Sequence, residues 1–409
     1  MRRTSILSLL VLTACTQRQL YAEPEPESPN APAGEPVGAL PDAAKPVCVD
    51  VTNDPHNCGA CGHDCLGGTC TRGACGPVTL VPNEWLNPGV YQNAATRLRI
   101  DGSELYWMKD GEVRHISVNG GTPKTLFSDS KSDDQGIDVD ADSVYVHRRI
   151  GVGSADPRDQ ILRISKTRGS AIVLADQPPH IFKEGLHTNY SIPGSTVRVA
   201  GGRVYWAGGD VVYRCPVKGC GGAPESVLKV PDGTMQFTDL SISKNTLFAP
   251  YYGLKSGNEP PSAGYLTSQL DGTTGSRSYS EAPLQLTTDE DAVYELSPGQ
   301  LLKRGFEEAG GLELARPSTA ASSLAVDDRY IYWGSAARVN GSIYRCGKSG
   351  PELHCGDGSD PIATGLARPM NIVTDGAAIY FTTADDYGAG AIMKLAKPPA
   401  TPQGQAPTR

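Results

Sequence analysis

The sequence predicts an all-β fold: a seven-bladed β-propeller preceded by a small disulfide-rich module. Three observations predict it. A unit made of an apolar alternation, a polar turn, mostly acidic or glycine-bearing, and an aromatic-bearing run recurs seven times. Each copy runs on into further short β segments separated by turn residues. The last copy lacks a final strand, and a spare strand stands ahead of the first.

The clearest copy is 321–346, ASSLAVDDRYIYWGSAARVNGSIYRC, with Leu324 and Val326, the turn Asp327-Asp328, then Ile331, Tyr332 and Trp333, and a third run at Ile343 and Tyr344. The others are LRIDGSELYWM (98–108), IDVDADSVYV (137–146), VRVAGGRVYWA (197–207), LSISKNTLFA (240–249), LTTDEDAVYEL (286–296) and IVTDGAAIYFT (372–382). Their anchor aromatics, Tyr106, Tyr145, Tyr205, Phe248, Tyr294, Tyr332 and Tyr380, stand 38 to 60 residues apart. Four strands at that period make a propeller blade. Spread over 76–398, seven blades take about 46 residues each, whereas six would need about 54; eight is the other alternative.

Third and fourth strands follow the anchors, as in VRHISV (113–118) with KTLF (124–127), and ILRIS (161–165) with AIVLA (171–175). The seventh copy has only its third strand, AIMKL (391–395). The spare segment VTLVP (78–82) is expected to pair with it and close the ring, which removes the exposed sheet edge that invites aggregation. Residues 399–409 form a proline-bearing tail.

Ahead of the repeats, Arg2 and Arg3 precede an apolar run, Ile6 to Leu12, too short to span a bilayer. The run ends in Leu-Thr-Ala-Cys, which resembles the lipobox of bacterial lipoproteins. That resemblance implies that 1–14 is a signal peptide and that Cys15 is the lipidated N-terminus, holding the chain to the membrane by two or three acyl chains. Thr16, rather than an Asp, follows the cysteine, and this implies the outer membrane. The other reading is an ordinary signal peptide cleaved near Ala22. Residues 15–46 are rich in Pro, Glu and Ala and read as anchor and disordered tether.

Residues 47–75 carry six cysteines, Cys48, Cys58, Cys61, Cys65, Cys70 and Cys75. A segment this short has no core and needs staples. An exported chain favours three disulfides over zinc, and six cysteines leave the connectivity open. The pattern NCGACGHDC resembles a small Cys-rich module common in lipoproteins and surface proteins of myxobacteria and their relatives.

Of the 11 cysteines, four remain: Cys215, Cys220, Cys346 and Cys355. They occur in two copies of one context, VYRCPVKGC and IYRCGKSGPELHC, so the expected bonds are Cys215 to Cys220 and Cys346 to Cys355, at hairpin tips between third and fourth strands. No thiol is left for catalysis. The strand pattern resembles YWTD-type propellers, although Met108 and Gly334 stand where Thr-Asp would follow Tyr-Trp. That resemblance implies the fold and no particular ligand.

Loops joining second to third strands, and fourth strands to the next blade, share one face. The long ones are 149–160, 176–196, 252–264, 334–341 and 383–390. Long loops on a rigid scaffold are where binding residues concentrate. The richest is 176–196, with His180, Phe182, Lys183, His187 and Tyr190 as a candidate ligand loop or a surface excursion covering the rim. Asp138, Asp140 and Asp142 alternate as calcium ligands do, but the glycine and distal Glu of such a loop are absent. Asp385, Asp386 and Tyr387 read as a solvated loop. The pairs Tyr106-Trp107, Tyr205-Trp206 and Tyr332-Trp333 read as core.

No nucleophile elbow, zincin helix, phosphate loop or dinucleotide fingerprint is present, and a net charge of -8 argues against nucleic acid. The expectation is a monomeric, non-enzymatic, cofactor-free outer-membrane lipoprotein, bound to the membrane through Cys15 and to an envelope protein or glycan through the long-loop face. The alternative is a lyase or hydrolase with its site at the mouth of the central channel.

Overall fold

The computed structural model describes residues 50–85, 98–129, 132–151, 154–178, 196–230, 235–253, 262–271, 273–277, 285–297, 299–306, 310–317, 321–335, 337–349, 353, 355, 361–384 and 389–399. The segment 1–49, with the expected signal peptide, Cys15, the tether and Cys48, lies outside them, as does the tail beyond Pro399. Among the described residues every regular element is a strand. Seven antiparallel sheets form blades 1 to 6 at 99–128, 132–177, 197–229, 235–277, 285–315 and 321–366, with blade 7 at 370–396.

Blade 7 takes its outer strand, Val78–Trp85, from the other end of the propeller segment. The register runs Val78 to Lys394, Thr79 to Met393, Val81 to Ile392 and on to Trp85 against Ala389. The closing strand is therefore longer than the sequence suggested. The first strands of successive blades touch one another all the way round, so they form the inner ring.

One apolar cluster fills each seam. Between blades 2 and 3, for example, Tyr145, Ile161 and Leu174 meet Val204, Trp206 and Cys215. The alternation of the second strands sends successive side chains into opposite seams, which is why Tyr and its neighbouring Trp are both buried: Trp107, Trp206 and Trp333 are at most 1% exposed. Full burial of groups this size contributes about 2 to 3 kcal/mol each. Among the described residues, the seam between blades 4 and 5 has the smallest cluster, Phe248, Tyr265, Leu286 and Val293 with Phe306 beside them.

The acidic turns hold the opposite face. Asp327 Oδ1 accepts from the backbone of Arg329 (2.8 Å) and Tyr330 (2.7 Å), while Oδ2 accepts from Tyr332 Oη at 2.9 Å. Asp140, Asp289 and Asp375 do the same for Tyr145, Tyr294 and Tyr380 at 2.7 to 2.8 Å. Burial and the neighbouring carboxylate push all four phenols up. A lysine just past the third strand then joins neighbouring blades. Lys397 bonds Asp375 O in its own blade and Asp327 Oδ2 (2.6 Å) in the preceding one. Lys348 reaches Asp327 O (2.8 Å) and Asp289 Oδ2 (2.5 Å), and Lys166 reaches Asp140 O and Asp101 Oδ2.

Between blades 4 and 5 this polar set is exchanged as a unit. Ser243 stands for the aspartate and Phe248 for the tyrosine. Phe306 takes the lysine's place and stacks on Phe248 at 5.5 Å. Blade 4 is irregular in another way too: its first strand is split into Met235–Phe237 and Ser241–Ser243. The break lies opposite Pro250, which has no N–H to give a ladder; Thr238 N donates to its carbonyl at 2.8 Å.

The Cys-rich module is held by Cys58–Cys70 and Cys65–Cys75. Cys61 is disulfide-bonded as well, to a partner outside the described residues. The sulfurs of Cys58, Cys65 and Cys75 lie within 4.8 Å of one another, but all are consumed in disulfides, so they offer no thiolate to zinc. Gly68 allows the chain to double back, since a Cβ there would lie 2.2 Å from Gly76 O. Cys215–Cys220 and Cys346–Cys355 close the hairpin tips as expected.

Candidate functional site on the long-loop rim

The 2–3 loops are shorter than expected because the strands outlast their apolar pattern. In blade 2 the second strand is Ser143–Ile150 and the third Arg158–Ser165, so the connection is 151–157 rather than 149–160. The extension is charged. Arg148 faces Gln160 and Arg149 faces Asp159 across the ladder.

Those pairs build a buried polar cluster. Arg149 clasps Asp159 with both arms, Nε to Oδ1 at 2.7 Å and Nη2 to Oδ2 at 3.2 Å. Arg148 bonds Gln160 Oε1 through Nη2 (2.9 Å) and Asp129 through Nη1 (2.5 Å). Burial alone would raise the carboxyl of Asp159, which is 1% exposed, yet His147 and Arg149 hold it far below the ordinary range. His147 is itself buried. Its Nδ1 meets Thr196 Oγ1 at 2.8 Å and its Nε2 lies 3.9 Å from Asp159 Oδ2.

This cluster roots both ends of the predicted ligand loop. Asp176, at its start, accepts from Arg158 Nε (2.8 Å) and Gln160 Nε2 (3.0 Å). Thr196, at its end, is held by His147 and packs on Gly136, where a Cβ would come within 2.9 Å of its hydroxyl. His180, Phe182, Lys183, His187 and Tyr190 lie outside the described residues, as do Asp385, Asp386 and Tyr387.

The same arrangement recurs around the rim. Glu84, on the closing strand, is 2% exposed and is held by Arg114 and by Lys109 at 2.8 Å. Glu295 is met by Arg304 at 2.8 Å. On the inner ring Arg99 pairs with Asp138 (3.1 Å) and Arg198 with Asp239 (3.3 Å). Desolvation and the nearby Arg198 draw the Arg99 guanidinium down to about 10, which leaves it charged at neutral pH. Asp138 also accepts from Val199 N at 2.8 Å, so the carboxylates of Asp138 and Asp140 serve different partners. Chemically, the described rim is a set of acidic side chains tied to guanidinium groups.

Sequence reasoning missed His147, Arg148, Arg149, Asp159 and Gln160. The signal was present in HRR and RDQ, charged triplets closing and opening two strands that face each other.

No family model matches the chain, and no curated protein does. Among solved structures it is similar to a puromycin-hydrolyzing peptidase of Mycobacterium tuberculosis, at 12% identity over 78% of this chain and 55% of that one, TM-score 0.48. It is also similar to an oligogalacturonate lyase in complex with manganese (12% identity, 72% and 74% covered, TM-score 0.41) and to a nidogen/laminin complex (15%, 55% and 82%, TM-score 0.36). The chain thus spans little more than half the length of the peptidase. Likeness at this level says nothing about activity.

Proposed function

We propose that the protein is a cell-envelope lipoprotein, anchored in the outer membrane through Cys15, whose propeller is a non-enzymatic platform binding an envelope protein or glycan on its long-loop face. One observation carries the platform reading. At the described rim the buried carboxylates Glu84, Asp159 and Glu295 are each tied to an arginine, which suits a rigid support for binding loops better than an acid or base kept free for proton transfer. The anchor reading rests on Leu-Thr-Ala-Cys and the polar tether behind it. No helix among the described residues is long and apolar enough to cross a membrane.

Photo-crosslinking groups at Asp156 and Val339, on the long-loop face, are expected to capture ligand in intact cells, whereas groups at Arg168 and Ala223, on the opposite face, are not. Capture from the opposite face alone overturns the reading. For the anchor, Cys15→Ser is expected to abolish incorporation of labelled palmitate and to release the chain into the soluble fraction; a variant that keeps its label sinks the assignment.

A further inference from the structure

We infer that the Cys-rich module is a clasp on blade 7, the blade assembled from two distant parts of the chain, and that its disulfides make ring closure sensitive to reduction. The module lies across that blade. Leu66 packs into the cluster between blades 7 and 1, against Val81, Ala378 and Tyr380 among others. Cys75 packs into the cluster between blades 6 and 7, with Tyr332, Ile379 and Leu395. The two residues are fixed relative to each other by Cys65–Cys75, whose first cysteine adjoins Leu66.

The end of blade 7 is gripped at the same place. His63 lies between two carbonyls, with Nδ1 2.5 Å from Cys58 O and Nε2 2.7 Å from Lys397 O. Lys397 is the residue whose ammonium ties blade 7 to Asp327, and Arg345 holds the next two carbonyls, Pro398 O at 3.2 Å and Pro399 O at 3.4 Å. From Cys75 only Gly76 and Pro77 lead to the closing strand. That strand is joined to its partner through a ladder with two register shifts. The clasp thus grips the strand that closes the ring and the strand it closes upon.

Reduction would open it by ordinary exchange. A dithiol attacks one sulfur of Cys65–Cys75, forms a mixed disulfide, and leaves as its own cyclic disulfide; Cys65 and Cys75 each gain a proton and together two electrons. Leu66 and Cys75 then lose their fixed spacing, and the closing strand loses its anchor.

The test is native-state hydrogen exchange on the full chain. In the oxidised protein the amides of blades 4 and 5, beside the smallest seam cluster, are expected to exchange faster than those of 78–85 and 389–396. In Cys65→Ser/Cys75→Ser the order should reverse, with blade 7 exchange rising at least about tenfold and blade 3 unchanged. His63→Ala, which keeps every disulfide, should shift exchange the same way by a smaller factor, and Cys215→Ser/Cys220→Ser, which removes a disulfide of blade 3 remote from the clasp, should leave blade 7 as it was. Uniform acceleration over all blades, or none in blade 7 for either the double serine or the His63 variant, overturns the clasp.

Discussion

Asp327 shows how much one side chain can organise here. Its two oxygens receive two turn amides, a phenol and the ammonium of a residue 70 positions away. Tyr332→Phe removes one hydrogen bond and should cost about 1 kcal/mol, a change the chain already tolerates at Phe248. Lys397→Met leaves a partly buried carboxylate without its cation and should cost about 3 kcal/mol, read as a fall in the denaturation midpoint. The pH dependence follows from the same groups. Burial would raise Asp289 and Asp327, but Lys348, Lys397 and the turn amides hold both below their ordinary value of 3.8. A depressed carboxyl stabilises the fold above its unfolded value and loses that contribution as pH falls through the folded one. Stability should therefore drop below about pH 4, and the drop should be shallower in Lys348→Met; an acid profile unchanged by that substitution counts against the account. The lysine bonds were not legible in the sequence, because the lysine and its aspartate belong to adjacent blades and share no local pattern.

At the scale of the strand, apolar alternation was readable where both faces are buried and failed where the ladder continues in charged residues. The anchors Tyr106 to Tyr380 lie on second strands as the repeat implied, since a buried aromatic at a fixed offset from a turn survives wide variation elsewhere. The ends of Ser143–Ile150 and Arg158–Ser165 read as loop, since Arg148, Arg149, Arg158 and Asp159 break the apolar period. What extends the strands is cross-strand pairing of opposite charge and side-chain amide, a signal visible only once the two segments are aligned. Arg149→Met should strand Asp159 in a site with 1% exposure and cost about 3 to 5 kcal/mol; Arg149→Lys, which keeps the charge but not the two-armed grip, should recover part of it. Equal loss in both variants would mean that packing rather than charge pairing holds the strand ends.

At the scale of the propeller, the blade count and the closure of the ring could be read in advance, because a repeat one strand short at one end and one strand long at the other has few other solutions. The pairing inside 47–75 could not, since spacing does not choose among cysteine partners. Closure also sets an order of events. Thr79 and Met393 touch although 314 residues separate them, so Val78–Trp85 emerges early in synthesis and finds its mate only when nearly everything else has been delivered. Until then that strand has an open edge and nothing to bond, the condition under which a chain recruits a neighbour instead of itself. The cysteine-stapled module immediately ahead of it, 28 residues from Cys48 to Cys75, is delivered in the same interval, and its Leu66 ends beside Val81 of that strand in one cluster.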